Sequence, residues 1–179
     1  MQLDIGQKVC YPSQGVCVVE GIEDKTIGGD VMSCYLLRVL SDNSTILVPA
    51  ANAENVGIRP IISSIQCKKL ISRLSADFEP VSGEWKTRSK QFGEQLRSGD
   101  VFEAADVLKK LTFLSREKKL SFREQTLLDK SKFLIISEIT NANAADEEIL
   151  SAEIDRLVEN ACQKHTVTQP SVMTAATAH

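Results

Sequence analysis

The feature that most constrains this chain is a change of hydrophobic period near residue 61. Before it, apolar residues come in short β-branched runs punctuated by Gly, Pro, Asn and Asp. After it, they recur at helical spacing. A period-2 pattern cannot settle as a helix, nor a 3.6 pattern as a strand, so two kinds of structure are expected in series. In the first part, Val9-Cys10-Tyr11 stops at Pro12, and Val16-Cys17-Val18-Val19 follows the turn at Gly15. Gly28-Gly29-Asp30 is a hairpin signal. Cys34 to Leu40 is the longest strand candidate, Thr45 to Val48 returns the chain to Pro49, and Val56-Gly57-Ile58 is expected as a last short strand. Five short strands with close turns predict a small curled sheet or SH3-like barrel over residues 1–60.

From Ile61, the residues Ile61, Ile65, Leu70, Ile71 and Leu74 trace a helix face, and Ser75 to Gly83, with Pro80 inside, reads as a linker. Four further helices are expected. One starts near Trp85 and ends at Ser98-Gly99. Asp100 with Glu103 marks a capping-box-like start, and Ser121 with Glu124 marks another. The last helix spans about Ala145 to Gln163, and its opening Asp146-Glu147-Glu148 suits the positive end of the helix dipole. The whole reads as α+β: a small β domain (1–60), a helix and linker (61–83), a compact helical domain (84–164) and a disordered tail (165–179).

Composition narrows the function. At 179 residues, 42% hydrophobic and 25% charged, the chain fits a soluble globular protein. No apolar run approaches the roughly 20 residues of a membrane span, and Met1 to Gly6 shows neither the basic n-region nor the apolar h-region of a signal peptide, so a cytoplasmic protein without a membrane role is expected. The five cysteines form no Cys-x-x-Cys pair, and the two histidines, His165 and His179, fall in the expected tail. Neither a metal site nor a cofactor is therefore expected. A catalytic triad has no base, and no phosphate-binding glycine loop is present, which favours a binding protein over an enzyme with a small-molecule substrate. Charge is uneven. Residues 1–60 carry a net −3, 86–132 a net +5 and 133–179 a net −5. A basic middle between acidic ends points to an anionic partner.

At the head of that basic segment stands Glu84-Trp85-Lys86-Thr87-Arg88-Ser89-Lys90, with the only tryptophan of the chain. Lys86 and Lys90 share a helical face, whereas Arg88 splays elsewhere. Cations in a first helical turn oppose the dipole, a local conflict of the kind functional sites carry. Two readings stand on the residues alone: Trp85 caps the helical domain by packing on Phe92 or the linker, or it is an apolar wedge flanked by phosphate-binding cations.

Gly6-x-x-Val9-x-Tyr11-Pro12-x-x-Gly15-Val16 and Val48-Pro49-x-x-Asn52-x-x-x-Val56-Gly57-Ile58-Arg59 resemble the opening and close of one module of the CarD/CdnL family of bacterial transcription regulators. Trp85-Lys86-x-Arg88-x-Lys90, then Ser98-Gly99-Asp100, and Leu120-Ser121 leading to Glu124 resemble its second half. The resemblance implies a Tudor-like domain that binds the RNA polymerase β subunit. It also implies a helical domain that contacts promoter DNA, largely independently of sequence, at the upstream edge of the bubble. There Trp85 would wedge the minor groove and Lys86, Arg88 and Lys90 would hold phosphates, stabilising the open complex. Lys25, Leu37, Leu47 and Pro49 are the implied polymerase-facing residues. The short, CdnL-like type and a monomer are expected. The rival reading is a protein-interaction adaptor without a DNA role; an operator-reading repressor lacks a recognition-helix pattern of Arg, Asn and Gln.

Overall fold

The β-branched runs pair in chain order, because each is joined to the next by a turn short enough to make neighbours antiparallel. A computed structural model describes residues 1–168. Its strands are β1 (Lys8–Tyr11), β2 (Gly15–Ile27), β3 (Asp30–Val39), β4 (Thr45–Pro49) and β5 (Arg59–Pro60). They form one antiparallel sheet in the order β4-β3-β2-β1-β5, so the last strand returns beside the first in a Tudor-like arrangement. β2 and β3 make a long ribbon, bulged between Val19 and Gly21. Its tip holds Gly28 and Gly29 at φ +62° and +90°, the left-handed pair that a two-residue hairpin turn requires. Val9, Cys17, Val19, Tyr35, Leu37, Val39 and Val48 form the core with Leu3, Ala53 and Ile58.

The expected strand at Val56-Gly57-Ile58 is not there. Ala53–Val56 is a one-turn helix, α1, closed by Gly57 in the left-handed conformation, and pairing with β1 starts only at Arg59. Val56 and Ile58 still pack on the β core. A helix end followed by a left-handed glycine delivers both side chains inward without a ladder, which their spacing alone does not distinguish from a strand.

The helices are α2 (Ser64–Leu74), α3 (Trp85–Arg97), α4 (Val101–Glu117), α5 (Phe122–Asn143) and α6 (Glu147–Thr168). The Ser121/Glu124 capping box is formed, and Ser63/Gln66 forms another at α2. At α4 only half of the expected box exists. Asp100 accepts from the Phe102 N–H, while Glu103 accepts from the Ser98 hydroxyl. Leu70, Leu74, Phe92, Leu96, Leu111, Ile135, Ile139 and Ile154 are buried together, so α2 belongs to the helical core and the bundle has five helices. Burying such side chains stabilises by about 1.5–3 kcal/mol each.

His165 does not lie in a tail. α6 runs on to Thr168, and the His165 ring stacks on Phe78 of the linker at 4.1 Å and meets Phe113 edge-on at 4.8 Å. Its Nδ1 lies 2.8 Å from Asp77. These contacts extend the helix past the point where apolar periodicity fades. The rest of the expected tail, 169–179, lies outside the described residues.

A polar joint connects the two domains. Arg59, on β5, forms a two-pronged ion pair with Glu138 of α5 at 2.5 and 2.9 Å and donates twice to the Gly99 carbonyl. Glu138 is 1% exposed and also accepts from the Ile62 N–H at 2.9 Å. Pro12 fills the space between Gly57 and Gly99: a Cβ on either would come within 3.1 or 3.2 Å of its Cγ. Gly15 likewise lies against Phe133 of α5. The residues that carry the family resemblance in both halves therefore meet at this joint.

Candidate nucleic-acid interface

α3 begins at Trp85, with Glu84 as an extended N-cap whose carboxylate accepts from the Thr87 hydroxyl at 3.0 Å instead of from a backbone N–H. Trp85 does not cap the core. It is 60% exposed, while Phe92 two turns on is buried at 2%. The Lys86 ammonium lies 5.7 Å from the centroid of the Trp85 ring, a cation–π contact that holds the indole beside a positive charge. An indole this open gains little from the fold, and burying it against a partner would remove a large apolar area from water.

Lys86 and Lys90 are exposed, as their common face requires, and that stripe continues at helical spacing through Gly93 to Arg97. Arg123 of α5 reaches across to the same stripe. Its Nη2 and that of Arg97 both lie 3.4 Å from where a Cβ on Gly93 would be. Among the described residues, Lys86, Lys90, Arg97 and Arg123 have no carboxylate at ion-pair distance, whereas Arg73, Arg88, Lys109, Arg116, Lys118 and Lys132 of the same domain do. Four cations without an ion-pair partner thus share one flank of α3.

Arg88 departs from the expected phosphate role. It is 3% exposed, its Nη2 donates to Glu124 at 2.6 Å and its Nη1 to the Ser82 carbonyl at 2.7 Å. Arg88 precedes Phe92 by four residues and Leu96 by eight, which puts it on the inward stripe. Burial alone would push the Glu124 carboxyl up. The hydrogen bonds from Arg88 and the Ser121 N–H, with the charges of Lys118 and Arg88, outweigh it and hold the pKa at about 2. Arg88 thereby clamps the starts of α3 and α5 together.

On the sheet, the register pairs Lys25 with Met32, Cys34 with Pro49 and Leu36 with Leu47. Paired residues share a face, so Lys25, Leu36, Leu47 and Pro49 lie on the side away from the core. Leu47 is 39% exposed, and Lys25 is exposed and paired with Glu23 at 2.9 Å. Leu37 is not part of this surface: it points the other way and is fully buried. Leu36 occupies the position expected of it, one residue away and therefore on the opposite face.

Family models match both halves of the chain: the CarD-like/TRCF RID domain over residues 3–62 and the CarD C-terminal domain over residues 69–155. The chain belongs to the CarD/CdnL family. These regulators of transcription are not a known enzyme class. The Bacillus subtilis (strain 168) protein "Putative transcription factor YdeB" is 27% identical over 135 residues, covering 75% of this chain and 88% of that protein. The solution structure of the 72-residue N-terminal domain of Myxococcus xanthus CarD is 34% identical, covering 33% of this chain and 79% of that one, with a TM-score of 0.30. In this CarD/CdnL protein no group of His, Cys, Asp and Glu that could hold a metal occurs among the described residues, and the five cysteines are buried as free thiols. No described helix is long and apolar enough to cross a membrane.

Two cations of this flank, Arg97 and Arg123, were not among those expected from a reading of the sequence. Arg97 was open to it, since it lies seven residues after Lys90 on the same stripe. Arg123 was not, because its place beside Gly93 depends on how α5 crosses α3.

Proposed function

We propose that this protein binds the RNA polymerase β subunit through the outer face of its β domain and promoter DNA through the start of α3, stabilising the open complex. The observation that carries the reading is Trp85, 60% exposed at a helix start and flanked by the unpaired cations Lys86 and Lys90. An apolar side chain inserted at a base step, with cations holding the backbone on either side, is how minor-groove proteins keep DNA distorted. Arg88 serves this indirectly, by fixing the helix that presents the ring. The contacts are to phosphates and a base step, so binding is independent of operator sequence and weak without a tether. Leu36, Leu47 and Pro49 supply an apolar patch for that contact, with the Lys25–Glu23 ion pair on the same face. Tethering to polymerase then raises the local concentration of the wedge at the bubble edge.

Trp85→Ala tests this. It shortens the lifetime of heparin-challenged open complexes about tenfold, the equivalent of roughly 1.4 kcal/mol, while co-purification with polymerase is unchanged. Unchanged lifetimes on several promoters, with no added footprint upstream of the bubble, would instead mark an adaptor without a DNA role.

A further inference from the structure

The connection between α2 and α3, residues 75–84, lacks main-chain support. Among the described residues, none of 77–83 takes part in a hydrogen bond between main-chain groups, and only Phe78 and Val81 of that stretch set half-buried side chains on the helical core. Its order therefore rests on side chains that grip it from other elements. At its near end the grip comes from the last turn of α6. Lys164 donates to the Ser75 carbonyl at 2.6 Å. The Asp77 carboxylate lies 2.8 Å from the His165 Nδ1, which must carry the proton because a carboxylate only accepts, and takes a second bond from the Thr168 hydroxyl at 2.7 Å. The His165 ring, 3% exposed, stacks on Phe78. Lys109 of α4 adds bonds to the Arg73 and Ala76 carbonyls. At the far end Arg88 holds the chain, its Nη1 donating to the Ser82 carbonyl at 2.7 Å.

The two grips lie close along the chain. Only Glu79, Pro80 and Val81 separate Phe78 from Ser82, and Pro80 fixes one of their φ angles, so a shift at Asp77 or Phe78 reaches Ser82 with little slack. Arg88 is sensitive to such a shift. Its Nε already has no partner, so loss of the Ser82 carbonyl leaves Glu124 as its sole acceptor in a buried site. We propose that the last turn of α6 is a clasp on this connection, with His165 and Asp77 as positioning residues that act through Ser82 and Arg88 on the first turns of α3. The use of the clasp rests on the function proposed above: it keeps the helix start that presents Trp85 from fraying before DNA is met. The coupling itself needs no DNA.

Hydrogen exchange of the full chain reads that coupling. In His165→Ala the Arg88 and Ser89 amides exchange roughly tenfold faster, the size expected for losing one aromatic stack and one hydrogen bond, while those of Ile135 and Ile139 in α5 keep their native rates. His165→Asn, whose side-chain amide takes the place of the Nδ1 donor, recovers part of the protection. Faster exchange confined to residues 75–79 overturns the coupling, and an equal rise across α5 marks a general loss of stability and overturns it too. With polymerase holoenzyme and a promoter fragment, His165→Ala shortens open-complex lifetime, though less than Trp85→Ala does. If Trp85→Ala shortens the lifetime and His165→Ala leaves it native, the positioning role is wrong and the wedge survives. If neither variant changes it, the proposed function fails, and hydrogen exchange alone decides whether the clasp acts on α3.

Discussion

Arg88 shows how a cation in a basic cluster can serve the fold and leave the surface to its neighbours. Its guanidinium is withdrawn from water and repaid by Glu124 and the Ser82 carbonyl, with Nε left unpartnered. Removing one member of such a pair strands the other charge in the interior. Arg88→Met is therefore expected to destabilise the helical domain by about 3 kcal/mol, read by urea unfolding at neutral pH. The carboxyl also gives a pH signature. Its folded pKa is depressed to about 2, so its stabilisation is full above the ordinary carboxylate range and is lost as pH falls toward that value. Stability measured from pH 6 down to pH 2 should fall more steeply for the native protein than for Glu124→Gln, which cannot titrate. Equal slopes would place the acid sensitivity elsewhere. Lys86, Arg88 and Lys90 look alike as a run of alternating cations. Arg88 alone shares the stripe of Phe92 and Leu96, and that register was open to inspection in the sequence.

At the scale of elements, α3 is a helix with an apolar stripe turned inward and a cationic stripe turned out. On the proposed function, each phosphate neutralised by one of those cations releases counterions, so binding weakens with salt in proportion to their number. Replacing Lys86 and Lys90 together by Gln should flatten the slope of log affinity against log salt by about 1.8, measured by fluorescence anisotropy on a forked duplex. An unchanged slope would take these lysines off the phosphates. The elements themselves were largely readable: the hairpin at Gly28-Gly29, the cap at Ser121 and Glu124 and the linker at Pro80 are all local chemistry. What was not readable depends on contacts across the chain. Leu36 and Leu37 are equally apolar neighbours, and only the register with β4 shows which one faces out. The stretch of α6 beyond Gln163 is held by His165 packing on Phe78, 87 positions away, which periodicity does not see.

For the molecule as a whole, the proposed function requires that the separation of the two binding surfaces match the distance between polymerase and the bubble edge. A flexible linker would meet that by search; here Arg59, Glu138, Gly99 and Pro12 fix the two domains against each other. A preset geometry costs less ordering on binding than a mobile one. Cys10 reports on this joint. Burial, together with the Glu138 charge and against that of Arg59, pushes its thiol up to about 12, which leaves it unreactive while the joint is closed. Arg59→Leu with Glu138→Gln removes the ion pair without stranding a charge and leaves an acceptor for the Ile62 N–H. In this variant Cys10 should alkylate faster with iodoacetamide as its pKa falls and more of it is thiolate, as read by peptide mass mapping. Cys17 and Cys162, buried in the β and helical domains respectively, should stay protected and show that both domains remain folded. On the proposed function, open-complex lifetime should shorten while polymerase binding persists, because Trp85 is then held near the DNA but no longer aimed at it. A variant with reactive Cys10 and a native lifetime would show that tethering alone suffices and that the rigid joint serves stability only.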